Sequence, residues 1–384
     1  MKLLLICSLI ISFLFFPVSV FSLESDIIPD AVSGILIEAE TGKILYEKDI
    51  DKRVSVASMT KMVAQIIILE QVEAGRIKWS DVVTVSKNAE SMGGSQIYIE
   101  QGEKITVEDL MKGISMASGN DATVQMAEVI SGSEEKFVKL MNKKVKELGL
   151  KNTNFKNCTG LDEEGHYSSA YDMSMIAREL VINHPEILRF SSMYEDYLRE
   201  DTDNKFWLVN TNKLVRFYEG ADGLKTGHTD DAGYCLAATA KRNNLRLIGV
   251  VLGVSSGSVR NTQTMNLLDY GFNNVRLEVL KEKDDIVDKI KIDKANVGSI
   301  DILMKEDLSV LEDLGDSLHK YKYNIKINNI VLPVKYGDVV GIIQVLENNN
   351  VVSSGELTVK GNIRKMSFFD LFFNSLLDTF SGEI

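Results

Sequence analysis

Ser58 and Lys61 stand three residues apart at the start of a long apolar segment, in the run Ser58-Met59-Thr60-Lys61. Residues three apart share one face of a helix, so the hydroxyl and the amine are expected to be neighbours. A serine hydroxyl is a weak nucleophile until a base removes its proton, and a lysine can be that base once burial lowers its pKa. The pair predicts a serine nucleophile that is activated by a lysine.

The same spacing recurs twice, at Ser133–Lys136 and at Ser317–Lys320. The first of these serines precedes a charged helical segment and is expected to cap it, and the second lies in a polar stretch. Ser58 differs because the apolar run Met62–Leu69 follows it and would bury the helix together with its lysine.

Two further polar motifs come later in the chain. Ser118-Gly119-Asn120 offers a hydroxyl and an amide beside the nucleophile, although the same pattern occurs at Ser86–Asn88 and is also typical of a helix N-cap. Lys225-Thr226-Gly227-His228 offers groups that bind a carboxylate, and a glycine on an edge strand lets a ligand backbone approach closely. The three motifs in this order form the signature of penicillin-binding proteins and β-lactamases.

On these motifs the chain resembles the low-molecular-mass penicillin-binding proteins, which are serine-type D-Ala-D-Ala carboxypeptidases of the S11 peptidase family, and in particular their Gram-positive, DacF-like branch. The resemblance extends over the whole chain. Four stretches carry it most clearly, Ala57–Met62, Ala117–Ala122, His166–Ala170 and Asp222–Thr229.

The resemblance implies a reaction. Ser58 would attack the D-Ala-D-Ala bond of a peptidoglycan stem peptide with Lys61 as base, D-alanine would leave, and water would hydrolyse the acyl-enzyme. Ser118 would relay protons. Penicillins resemble the substrate and would acylate Ser58. The backbone N–H groups of Ser58 and His228 would form an oxyanion hole.

The resemblance also implies a set of substrate-binding residues. An amide would hold the substrate's own amide, a lysine and a threonine would hold its terminal carboxylate, and an arginine would assist. These residues are Asn120, Lys225, Thr226, Gly227, His228 and Arg260. The family often carries another basic residue within an asparagine-x-asparagine segment, which reads Asn210-Thr211-Asn212 here.

The elements that must position these motifs alternate between strands and helices. Strands are predicted at Gly34–Glu38 and Lys43–Lys48 and again at Tyr234–Thr239 and Leu245–Leu252. Helices are predicted between and after them, at Ser55–Ala74, Val107–Ser115, Asn120–Ile130, Glu134–Leu148, Ala170–Ile182 and Thr262–Tyr270. Strands at both ends with helices between them predict an α/β fold, and the family resemblance makes it a β-lactamase/transpeptidase-like domain with an antiparallel sheet flanked by helices.

The chain divides into four predicted segments. Residues 1–22 carry Lys2 and the apolar run Leu3–Phe16 and are predicted to be a signal peptide. The peptidase domain covers 23–273, and short strands predict a β-rich domain over 276–360. The predicted strands of that domain are Arg276–Lys281, Ile286–Ile292, Ile325–Ile327, Val331–Val334, Val339–Leu346 and Val352–Val359.

Residues 361–384 are predicted to form an amphipathic helix. Its apolar face would carry Phe369, Phe372, Phe373, Leu376 and Phe380. The segment is too short and too charged to span a bilayer, so it is predicted to lie in the membrane interface. Packing of this helix on the β-rich domain is the alternative. The protein is therefore expected to be exported and held on the outer face of the cytoplasmic membrane.

The composition of the chain limits the classes of partner and cofactor that the protein is expected to bind. The net charge of −12 argues against a nucleic-acid partner, since phosphate binding needs a positive surface. No metal or cofactor is expected, because the four histidines show no ligand spacing. They are His166, His184, His228 and His319. Cys158 and Cys235 could form a disulfide or remain two buried thiols.

Two other functions use the same motifs. A class A β-lactamase needs an extra glutamate that activates the deacylating water, and the segment Glu179–Asn183 imitates its spacing. That segment ends an apolar-periodic helix, so Glu179 is predicted to lie on the helix surface. A catalytically silent protein that binds the cell wall is the other alternative, and the intact set of three motifs argues against it.

Overall fold

The structure is a computed structural model, and it describes residues 26–200, 202–292, 295–315 and 320–367. The predicted signal peptide, Cys7, Ser317 and the apolar face of the predicted C-terminal helix all lie outside these ranges. Within the described ranges, no helix is both long and apolar enough to cross a membrane.

The helices and strands follow one another along the whole described chain. The helices are α1 (Lys61–Glu73), α2 (Lys87–Glu90), α3 (Val107–Lys112), α4 (Asn120–Ser131), α5 (Glu134–Glu147), α6 (Ala170–Asn183), α7 (Ile187–Ser191), α8 (Leu214–Phe217) and α9 (Gly257–Asn274). The first nine strands are β1 (Ser33–Glu38), β2 (Ile44–Lys48), β3 (Val82–Thr84), β4 (Lys104–Thr106), β5 (Glu195–Leu198), β6 (Phe206–Val209), β7 (Ala221–Thr229), β8 (Gly233–Arg242) and β9 (Leu245–Val254). The others are β10 (Val275–Lys281), β11 (Ile286–Ile290), β12 (Ile300–Met304), β13 (Leu308–Asp313), β14 (Lys322–Ile327), β15 (Val334–Lys335), β16 (Gly341–Glu347), β17 (Asn350–Val359) and β18 (Asn362–Ile363).

A five-stranded antiparallel sheet in the order β2-β1-β9-β8-β7 forms the centre of the first part. The two ends of this part meet in it, because β1 pairs with β9 and Ile35 lies opposite Val250. Side chains alternate between the two faces of a strand. Ile35 and Ile37 accordingly pack with the large helical core that contains α1, while Leu36 packs on the other face with α9. The predicted α/β fold is confirmed.

The second part is built from strands. Its five-stranded sheet has the order β11-β12-β17-β16-β14, and two-stranded pairings join β10 with β13 and β15 with β18. It buries its own apolar core, which includes Ile302, Ile343 and Leu357. Strand β18 and a bridge between Ala295 and Lys365 continue this fold into the segment that was predicted to begin the C-terminal helix.

The structure differs from the predicted elements at several places. The long predicted helix at Ser55–Ala74 is a 3-10 turn over Ala57–Thr60 followed by α1. The hairpin of β5 and β6 and the strands β12 and β13, each four to six residues long, were not predicted, and neither was the longer and more polar edge strand β7. Short apolar runs of this length carry little periodicity.

Candidate active site

The 3-10 turn Ala57–Thr60 carries Ser58 to the end of the buried helix α1. Ala57 has φ of +47°, a value that costs free energy for any residue with a Cβ atom. Two glycines pack against this turn. A Cβ on Gly160 would lie 2.0 Å from the carbonyl oxygen of Ala57, and a Cβ on Gly227 would lie 2.6 Å from that of Val56. The backbone of two other segments therefore lies directly against the turn Ala57–Thr60, which we call the nucleophile turn, with no side chain between them.

The side chain of Lys61 contacts that of Ser58. Its side chain is fully buried, and Nζ lies 2.8 Å from Oγ of Ser58. The same Nζ lies 2.6 Å from Oδ1 of Asn120 and 2.6 Å from the carbonyl oxygen of Thr159. Burial lowers the pKa of Lys61 to about 7, although the charge of Asp121 opposes this shift. An amine with this pKa is half unprotonated near neutral pH, as a general base must be.

Asn120 belongs to the second motif and begins α4. Its amide nitrogen donates to the carbonyl oxygen of Gly93 at 2.7 Å, and this bond fixes its oxygen toward Lys61. Ser118 precedes it in the left-handed conformation, with φ of +63°, and is buried. The second motif thus contacts the first through the amide that the sequence had assigned to the substrate.

The third motif lies on β7, the edge strand of the central sheet. Gly227 packs on the nucleophile turn, so β7 runs alongside Ser58. Thr226 donates its hydroxyl to that of Thr211 at 2.8 Å, which brings the asparagine-x-asparagine segment to the same strand. His228 is exposed and its ring packs against that of Tyr234, with the centroids 4.0 Å apart.

Three basic side chains, those of Lys61, Lys225 and Arg260, are buried around this strand. Burial and the charges of Lys61 and Arg260 hold the pKa of Lys225 well below its ordinary value. Burial also lowers the pKa of Arg260, which is 8% exposed on α9. Burial and mutual repulsion disfavour the charged forms of these groups, and an anionic ligand would relieve that cost. The site is therefore suited to a substrate that carries a free carboxylate.

The loop between α5 and α6 supplies a part of the site that sequence reasoning missed. Its Thr159 carbonyl accepts from Lys61, and Asn157 holds the turn by accepting from the N–H of Gly160 at 2.8 Å. Cys158 donates its backbone N–H and its thiol to the carboxylate of Glu134. A backbone carbonyl leaves no trace in residue type, and the signal available in the sequence at this position is Gly160, a residue typical of turns.

Both cysteines left open by the sequence are unpaired, buried thiols. Ser133 caps α5, as predicted, by accepting from the N–H of Lys136. Glu179 lies on α6, where it accepts from Asn183 and pairs with His184. His184 also contacts Glu73, the last residue of α1, which lies roughly 18 Å along the helix from Lys61. Glu179 is thus far from the nucleophile, which disfavours the β-lactamase alternative.

Comparisons with known proteins agree with this arrangement. The family model described as D-alanyl-D-alanine carboxypeptidase, peptidase S11, matches residues 22–256. The D-alanyl-D-alanine carboxypeptidase DacF of Bacillus subtilis is 48% identical over 345 residues, which cover 90% of this chain and 88% of that protein.

Solved structures give the same result. Penicillin binding protein 5 from Haemophilus influenzae is 31% identical with a TM-score of 0.70, covering 88% of this chain and 98% of that one. Penicillin-binding protein D2 from Listeria monocytogenes in its ampicillin-bound form is 32% identical with a TM-score of 0.57, covering 63% of this chain and 98% of that one.

Proposed function

Because the chain belongs to the S11 family of D-alanyl-D-alanine carboxypeptidases and is an enzyme of that class, we propose that Ser58 is its nucleophile and Lys61 its base. The observation that carries the proposal is the 2.8 Å separation between Oγ of Ser58 and the buried Nζ of Lys61. The substrate is a peptidoglycan stem peptide that ends in D-Ala-D-Ala.

The hydrogen bonds of Lys61 support its role as the base. A neutral amine has two N–H groups and one lone pair. The oxygen of Asn120 and the carbonyl of Thr159 can only accept, so they take the two N–H groups. The lone pair is then left for the hydroxyl of Ser58, whose other acceptor, the Thr159 carbonyl, lies 3.4 Å away. Of these two acceptors, Nζ of Lys61 is the closer to Oγ of Ser58, so the proton of the serine hydroxyl is transferred to Lys61.

The reaction proceeds in two steps. Oγ of Ser58 bonds to the carbonyl carbon of the penultimate D-alanine while its proton moves to Lys61. The C–N bond breaks, the leaving D-alanine amine takes up a proton, and an ester remains on Ser58. Water then attacks the ester carbonyl, the bond between that carbon and Oγ breaks, a proton from the water returns to Oγ, and the shortened peptide leaves. Ser118 assists the proton transfers, and the backbone N–H groups of Ser58 and His228 stabilise the oxyanion by on the order of 3 kcal/mol per donor.

Substrate recognition is assigned to the edge strand β7 and its neighbours. Lys225 and Thr226 bind the terminal carboxylate, and Arg260 adds positive charge. Gly227 packs on the turn Ala57–Thr60 without a side chain and so keeps β7, with Lys225 and Thr226, beside Ser58. Asn120 contacts the substrate amide while it holds Lys61.

Penicillins are proposed to acylate the same serine, because a β-lactam presents a strained amide next to a carboxylate. Mass spectrometry of the penicillin-treated protein should locate the adduct on the peptide that contains Ser58. Ser58→Ala should release no D-alanine from a stem pentapeptide, while Ser133→Ala, which alters the surface serine of the same spacing, should release it normally. Release by the Ser58 variant would exclude this serine as the nucleophile.

The enzyme acts outside the cytoplasm, where its substrate is found. We further propose that the peptidase domain covers residues 23–273 and that the β-rich domain, over 276–360, joins it to a membrane-interface helix near the C-terminus. The support is the separate apolar core of the β-rich part and the phenylalanine face of the last segment.

A further inference from the structure

His166 lies in the loop between α5 and α6, in a stretch that the proposed reaction leaves without a role. Its side chain is 7% exposed and its ring packs on that of Phe155, with the centroids 5.3 Å apart. Nε2 of His166 lies 2.8 Å from Oγ1 of Thr60, a residue of the nucleophile turn that directly precedes Lys61. A buried histidine therefore contacts the segment that joins the nucleophile to the base.

The hydrogen bonds of the ring define its tautomer. The backbone N–H of Lys156 donates to Nδ1 at 3.2 Å, so Nδ1 is an acceptor. The neutral ring then carries its proton on Nε2 and donates it to Thr60. Burial lowers the pKa of His166 to about 4, the charge of Lys61 acts in the same direction, and Asp162 and Glu163 oppose it. The ring stays neutral near pH 7, and its donor stays directed at Thr60.

The same loop contacts the catalytic pair at a second point. Its Thr159 carbonyl accepts from Nζ of Lys61, and Gly160 packs on the peptide that precedes Ser58. The loop thus holds the base directly and the turn through Thr60. We propose that His166 is a positioning residue that fixes the spacing of Ser58 and Lys61 by donating a hydrogen bond to Thr60, an inference that rests on the proposed function of that pair.

Two substitutions separate the two hydrogen bonds of the ring. In His166→Gln the side-chain amide nitrogen replaces Nε2 and still donates to Thr60. In His166→Asn the side-chain oxygen replaces Nδ1, so that the bond from Lys156 remains and the one to Thr60 is lost. Since small displacements of reacting groups slow chemistry strongly, the acylation rate at saturating penicillin should fall about tenfold in the Asn variant and change less than about threefold in the Gln variant.

Thr60→Val provides the reciprocal change, because it removes the acceptor and keeps the shape. If the bond is what matters, the variant with both Thr60→Val and His166→Asn should acylate no more slowly than the slower single variant. Additive losses would show that the two residues act separately and would overturn the proposal.

His184→Gln is the matched control. His184 is 6% exposed and bonds Glu73 at the opposite end of α1, 2.9 Å from its carboxylate. This variant should lower the thermal unfolding midpoint but leave the acylation rate unchanged. The proposal fails if His166→Asn acylates at the parental rate, or if all three histidine variants slow in proportion to their unfolding midpoints. Acylation of a residue other than Ser58 in the parent protein would instead refute the proposed function.

Discussion

At the scale of single residues, the protonation state of Lys61 sets the rate of the first chemical step. Its pKa of about 7 means that the base is charged in acid and neutral in mild alkali. The acylation rate at saturating penicillin should therefore rise with pH and level off above a midpoint near 7. His166, with a pKa of about 4, titrates outside this window. Stopped-flow acylation across pH 5.5–9 tests this, and a rate independent of pH would contradict the assignment of Lys61 as base.

Lys225 makes a different prediction, because its charge depends on the ligand. Burial and the charges of Lys61 and Arg260 lower the pKa of Lys225 in the free enzyme, whereas a bound carboxylate raises it. Binding of a D-Ala-D-Ala peptide to Ser58→Ala should therefore be accompanied by proton uptake. Calorimetry in buffers of different ionisation enthalpy measures this uptake. A peptide whose terminal carboxylate is an amide is the control, and equal uptake with both ligands would argue against the assignment of the carboxylate to Lys225.

At the scale of elements, the turn at Gly160 is the contact that allows the α5–α6 loop to reach the nucleophile. Alanine there would meet the carbonyl of Ala57 and the N–H of Ser58, at 2.0 and 2.9 Å. Gly160→Ala should therefore slow acylation by at least about tenfold through displacement of the turn. Gly149→Ala is the control, since Gly149 has a similar positive φ of +72° but open space around it.

Both alanine variants should lose about 1–2 kcal/mol of unfolding free energy from the left-handed backbone. Only the Gly160 variant should lose acylation rate in addition, and chemical denaturation together with penicillin acylation separates the two effects. Equal acylation by both variants would show that the loop is merely adjacent to the site.

The elements of the fold were more predictable from the sequence than the contacts between them. The apolar pattern after Lys61 and the β-branched strands were sufficient to predict α1 and four strands of the central sheet, because burial leaves a periodic trace in residue type. The more polar edge strand β7 was not among the predicted strands. The partners of Lys61 were not all predictable. Asn120 was given to the substrate, and the carbonyl of Thr159 has no side-chain signature. Contacts between distant segments through backbone atoms depend on the fold and cannot be read from spacing.

At the scale of the whole molecule, the strand-built part continues the chain directly from α9 into β10, and the N–H of Leu314 bonds the carbonyl of Asn274 at this junction. The charged groups of the proposed chemistry, Lys61, Lys225 and Arg260, all belong to the first part. The strand-built part therefore contributes none of these three groups. Its expected role is to position the catalytic part relative to the membrane.

The final segment provides the test of that role. Residues 362–363 form β18, and Arg364 exchanges hydrogen bonds with Asn296, so a cut after Gly361 would remove part of the strand fold. A cut after Ser367 spares these contacts and removes the phenylalanine face. The truncated protein should move from the membrane fraction to the soluble fraction and keep its D-alanine release from a soluble pentapeptide, because the catalytic groups are untouched.

Replacement of Phe372 and Phe373 by serine in the full chain should also weaken membrane binding, whereas replacement of Asn374 and Ser381 on the polar face by alanine should not. Persistent sedimentation of the truncated protein with membranes would show that the attachment lies elsewhere.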